Sequence, residues 1–78
     1  MEYDHIKYNV EKFLREKGIR DEENAVSPVQ IARVVFEDEK ATRKMINPSL
    51  YRMEKEDIII KVCEENGRKP RWYLPIKV

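Results

Sequence analysis

Arg43, Asn47 and Tyr51 recur at four-residue intervals within RKMINPSLYRMEKE, residues 43–56. On a helix that interval places three side chains along one face. The set offers a cation, an amide that both donates and accepts, and an aromatic ring carrying a hydroxyl. With Ile46 as origin and about 100° per residue, Leu50 and Met53 lie within about 40° of it and face a core. Asn47 and Tyr51 lie near ~100° and ~140°, Lys44 and Lys55 near ~160° and ~180°, and Arg43 near ~60°. A tyrosine among cations on a polar face suits stacking on a nucleobase or ribose beside phosphates. The spacing alone is equally met by a ring that packs over neighbouring stems.

A second cluster follows in the C-terminal part, where Arg68, Lys69, Pro70 and Arg71 precede Trp72. If this segment folds back beside the helix, Trp72 can meet Tyr51 ring edge to ring face, a contact worth about 0.5–1.5 kcal/mol beyond buried area. Trp72 also opens an alternating apolar series, Trp72, Leu74, Ile76 and Val78, so it is a core candidate as well. The two roles are compatible, because a half-buried indole can brace a tyrosine.

Three helices must position these residues. The first is expected over about 4–17, with Asp4 as cap, the stripe Ile6, Val10, Phe13 and Leu14, and Gly18 as a left-handed stop. The second, about 27–36, starts with Ser27, Pro28 and Gln30, a capping box with proline at the first helical position. It carries Ile31, Ala32, Val34 and Val35. The third lies within about 42–57 and contains Pro48. Either regular helix begins at Asn47 after a loose turn over 42–46, which the Asn-Pro pair favours. Or it begins near Thr42 and runs through the proline at a cost of about 3 kcal/mol or a bend.

Beyond the helices, the β-branched run 58–63 reads as a strand, Asn66-Gly67 as a hairpin turn, and 71–77 as a second strand. Pro75 lacks an N–H, which points to an edge position. Val26, just before the second helix, could pair as a short third strand. The expected class is α+β: a winged helix-turn-helix of three helices, a C-terminal β-hairpin wing and that short strand, filling residues 1–78 as one domain.

Composition narrows the function. The 78 residues are 40% charged and 41% hydrophobic, globular rather than disordered. The net charge of +1 divides into an acidic first half and a basic second half, which favours a polyanionic partner for the latter. No apolar run reaches the ~18 residues of a membrane span. The N-terminus lacks the order of a secretion signal. A cytoplasmic or nuclear location is expected, with no membrane partner. One cysteine, Cys63, and one histidine, His5, make neither a disulfide nor a zinc site. Cys63, at a strand end, is expected as a small buried or half-buried filler. The acidic runs at 21–23 and 37–39 lack calcium-loop spacing. No nucleophile–base pair or glycine-rich phosphate loop is present. No catalytic activity and no cofactor are expected.

Taken together, these residues resemble the Zα family, winged helices that bind left-handed Z-DNA and Z-RNA. That family's recognition helix has a basic residue, asparagine four positions on and tyrosine four further, as Arg43, Asn47 and Tyr51 do. Its wing has two prolines, a spacer and a tryptophan; Lys69, Pro70, Arg71 and Trp72 look like that wing, with lysine in place of the first proline. The resemblance covers residues 27–76 well and the first helix loosely.

The resemblance implies that Tyr51 packs against a syn guanine while Asn47 contacts phosphate directly and through water. Arg43 and Lys44 would bind the zigzag backbone. Trp72 would hold Tyr51 and donate its indole N–H to phosphate, with Pro70 as a rigid apolar contact and Lys69 as a charge beside the backbone. It implies a protein that is monomeric when free and sits as two copies on a duplex. It also implies a role in viral infection or its sensing, and a freestanding form would suit a small viral antagonist. Two rivals stand beside it: a winged helix reading B-DNA with Arg43, Lys44, Ser49 and Arg52, and a winged helix that binds only protein.

Overall fold

The computed structural model describes residues 2–63 and 69–75. The expected Asn66-Gly67 turn, Arg68, and residues 76–78 of the second strand lie outside them. The helices are α1 (Tyr3–Glu16), α2 (Pro28–Val35) and α3 (Arg43–Lys55), and β1 (Ile60–Val62) pairs antiparallel with β2 (Arg71–Tyr73). The protein is a small α+β domain of three helices and a two-stranded antiparallel sheet.

Each helix contributes an apolar stripe to one core. Ile6, Val10 and Leu14 come from α1, Ile31, Ala32 and Val35 from α2, and Ile46, Leu50 and Met53 from α3. Ile59 and Trp72 close it from the sheet side. Val34, expected inside, is 48% exposed. It lies about 100° from the mean direction of Ile31, Ala32 and Val35, which already fill that face. No helix among the described residues is long and apolar enough to cross a membrane.

The helix starts differ in how they are held. At α2 the amide of Gln30 donates to Ser27 Oγ at 3.3 Å and the amide of Ser27 donates to Gln30 Oε1 at 3.2 Å, the reciprocal box read from the sequence. At α1 the cap position is Glu2 rather than Asp4, and its side chain makes no cap bond. Asp4 instead sits in the first turn, where a negative charge meets the positive end of the helix dipole.

Pro48 lies inside α3, so the start at Asn47 favoured by the Asn-Pro pair is not the one adopted. The helix begins instead after Thr42, whose amide donates to Met45 Sδ at 3.4 Å. The reason is burial: Ile46, ahead of the proline, is fully buried in register with Leu50 and Met53. Unwinding 43–46 would withdraw that side chain, worth about 1.5–3 kcal/mol. Pro48 itself is exposed, about 200° from Ile46. The carbonyl of Lys44 that it leaves without a donor therefore turns to water rather than into the core.

All three helices end alike. Ile19 N donates to Leu14 O at 2.9 Å, Asp38 N to Arg33 O at 3.2 Å and Ile58 N to Met53 O at 3.0 Å. Each is the six-to-one bond of a Schellman motif, which needs a left-handed residue just before the donor. Those residues are Gly18 (φ 66°), Glu37 (φ 51°) and Asp57 (φ 60°). Ending α3 this way uses residues 57 and 58, so β1 starts at Ile60, two residues later than the β-branched run suggests.

The sheet is arranged around Trp72. Its N–H donates to Val26 O at 2.8 Å and its C=O accepts from Val26 N at 3.0 Å, so Val26 does form a one-residue bridge. On its other side Trp72 stands opposite Lys61. At Trp72, β2 therefore lies between two partners and is not the edge that Pro75 suggested. Pro75 falls beyond the end of the strand, where no ladder bond is required of it. Cys63, expected as filler, is exposed just past β1.

Asp tolerates the left-handed region better than Glu does. Glu37→Gly should therefore stabilise the fold by about 1 kcal/mol, raising Tm by about 4–8 °C. Asp57→Gly should give a smaller gain, and thermal melts of the two variants compare them directly.

Candidate nucleic-acid interface

Tyr51 is 39% exposed, whereas Trp72 beneath it is 0% exposed. Their ring centroids are 5.2 Å apart and the planes meet at 89°, an edge-to-face pair. That geometry matches the quadrupoles of the two rings, which repel when stacked face to face. Trp72 is more deeply buried than the half-buried brace expected. Its side chain lies on the sheet face toward α3, and its backbone is bonded to Val26 on the far side.

The third member of this contact is Lys61, whose Nζ lies 4.9 Å from the Tyr51 ring centroid. The N–H and C=O of Trp72 point to Val26, so Lys61 and Trp72 form a pair without mutual hydrogen bonds. Side chains of such pairs come closest across an antiparallel ladder. Both therefore reach the same tyrosine. Sequence reasoning missed Lys61, because its place follows from strand register, which no motif in the chain announces.

Along α3, Arg43 and Lys44 occupy the first two helical positions and are exposed, as is Lys55 at the end. Asn47 is half-buried, one turn before Tyr51. Its Oδ1 is buried with no hydrogen-bond partner among the described residues, and the same holds for Trp72 Nε1 and Arg71 Nε. Buried polar atoms without partners are uncommon and cost about 1–3 kcal/mol each. All three belong to the recognition segments singled out from the sequence. The buried Trp72 Nε1 departs from the expected direct bond to phosphate: with the side chains as they stand, a phosphate does not reach it.

Arg52, next in the chain after Tyr51, is already engaged. Its guanidinium lies 3.8 Å from the Tyr3 ring centroid, and its Nε is 3.8 Å from Glu56 Oε2. The Tyr3 hydroxyl donates to Glu56 Oε1, tying the start of α1 to the end of α3. Removal from water, then the bond to Glu56 and the charge of Glu56, push the Tyr3 phenol from 10.0 up to about 12. Arg52 opposes that shift.

Lys69 and Pro70 sit three and two residues before Trp72, the first exposed and the second half-buried. Lys69 has φ 57°. Proline is locked near about −65° and cannot occupy that backbone. The lysine found where the resembled wing has its first proline thus coincides with a chain path that excludes proline.

Comparison with family models, with curated proteins and with solved structures finds no match.

Two outcomes follow from this geometry. Lys69→Pro should destabilise the fold by more than about 1 kcal/mol, whereas Lys69→Gly should be neutral or stabilising, as read by denaturant midpoints. In an ultraviolet phenolate titration one tyrosine should ionise near pH 12, and Tyr3→Phe should remove that component. The raised pKa contributes stability that is full below pH 10.0 and lost as the pH rises towards 12, because the unfolded phenol ionises first.

Proposed function

We propose that this chain is a nucleic-acid-binding module of winged helix-turn-helix architecture that recognises the left-handed Z conformation of double-stranded DNA or RNA. The three helices and antiparallel strand pair are compatible with that architecture. The observation that carries the proposal is the exposed Tyr51 ring held edge-to-face on a fully buried Trp72. An aromatic ring kept rigid at a surface loses little conformational entropy when a base packs on it.

In this reading Tyr51 meets a syn guanine, the conformer that the left-handed duplex presents. Asn47, one turn away, offers its amide N–H donors to the backbone and its water, while its Oδ1 is buried. Arg43 and Lys44, exposed at the start of α3, neutralise phosphates, and Lys69 and Pro70 flank the same duplex from the strand side. Trp72 acts by holding Tyr51, since its own N–H is buried. Recognition is of shape, so base sequence is read only through the ease with which it adopts the Z form. Binding and the B-to-Z shift are then one linked equilibrium, because a ligand that prefers one conformer populates it.

The engagement of Arg52 by Tyr3 and Glu56 weighs against the B-DNA rival, which needs that guanidinium free for bases.

At moderate salt the protein should invert the circular dichroism of an alternating CG duplex, and a B-form spectrum that persists at saturation would refute the proposal. Tyr51→Ala should weaken binding by about 1–3 kcal/mol, roughly fivefold to 150-fold in Kd. Its melting should report a modest loss, the ~0.5–1.5 kcal/mol of the aromatic pair together with the area the ring covers, with the domain still folded. Asn47→Ala should also weaken binding without lowering stability, since its buried Oδ1 has no partner among the described residues.

A further inference from the structure

We infer that Lys61 is a phosphate-binding residue that rests on the Tyr51 ring in the free protein and leaves it when a duplex docks. The inference rests on the nucleic-acid reading of the site and adds to it a contact outside the helix and the segment around Pro70.

Three features lead to it. First, Lys61 Nζ lies over the Tyr51 ring, 4.9 Å from the centroid, so an ammonium covers part of the face a base would meet. Second, no carboxylate among the described residues pairs with it: the only ion pair among them is Arg52 with Glu56. A cation–π contact at a half-exposed site is weaker than a hydrogen bond between charged groups. A phosphate within reach therefore outcompetes the ring. Third, the pairing of Lys61 opposite Trp72 sets its stem on the sheet face shared with the aromatic pair, so it need only swing its flexible end.

The consequence is an exchange at one ring. In the free protein the ammonium satisfies the negative face of Tyr51 and shields it from water. On docking, the charge moves to the backbone of the ligand and the face is released to the base. An uncharged surface that merely presented an aromatic ring would uncover the face at no gain, whereas here uncovering and phosphate binding are the same movement.

Two measurements test this. The first is the dependence of affinity on salt, in which each phosphate contact contributes a slope of about 0.9 in log K against log salt. Lys61→Met should lower the slope by about that amount, Lys61→Arg should retain it, and Lys12→Met on α1 should leave it unchanged as a control for net charge. The second uses the unaltered protein: the Lys61 side-chain protons should be shifted upfield by the Tyr51 ring current and should return towards ordinary values on addition of an alternating CG duplex. An unchanged slope in Lys61→Met, or ring-current shifts that persist in the complex, overturns the inference. A lowered slope on a duplex that stays in the B form keeps Lys61 as a phosphate contact and removes the Z-form proposal. Dichroic inversion with an unchanged slope does the reverse, and absence of binding to any duplex at low salt removes both.

Discussion

The indole of Trp72 is held from three directions: by its backbone pairing with Val26, by the β1 strand opposite, and by the core beneath α3. The indole is fully buried, and the tyrosine leans on it edge-on. The arrangement joins two requirements that usually conflict. An aromatic that is to meet a ligand, as proposed for Tyr51, must be exposed, and an exposed side chain ordinarily samples several rotamers. Placing a large buried ring behind it supplies order without burying the face that is offered.

Electrostatics around the pair follow from where the cations are anchored. Arg43 and Lys44 come from the first turn of α3, a position where a positive charge opposes the helix dipole. Local helix stability alone would disfavour them there. The same is true of Pro48 within the helix and of a lysine with φ 57° beside a proline. Such local conflicts gather where a surface has been shaped for something other than stability. The unpartnered atoms of Asn47, Arg71 and Trp72 belong to the same pattern. Elsewhere the chain is mostly locally consistent, with capping at α2 and apolar stripes in register, although Glu37 and Asp57 also hold positive φ at the ends of α2 and α3.

The apolar periodicity of all three helices was legible because 3.6-residue spacing is a local property, and Ile46, Leu50 and Met53 are buried as that spacing requires. The start of α3 was harder. Asn-Pro is a good local cap, but the burial of Ile46 outweighed it, a tertiary term with no local signature. Pro75 misled in a similar way. It marks where a strand cannot continue, not which side of the strand is free, and Val26 arrives from a distant part of the chain.

By itself the sequence determined that there are three helices, the α+β class and the common face of Arg43, Asn47 and Tyr51, since these follow from local periodicity, although the start of α3 did not. The meeting of Tyr51 with Trp72 was anticipated as a reachable contact. Its geometry, the full burial of the indole and the cation above the ring were decided by tertiary structure alone. The reason is strand register: a shift of one residue would turn Lys61 and Trp72 to the opposite face, and register is set by packing against the core and by the Val26 bridge rather than by any neighbouring residue.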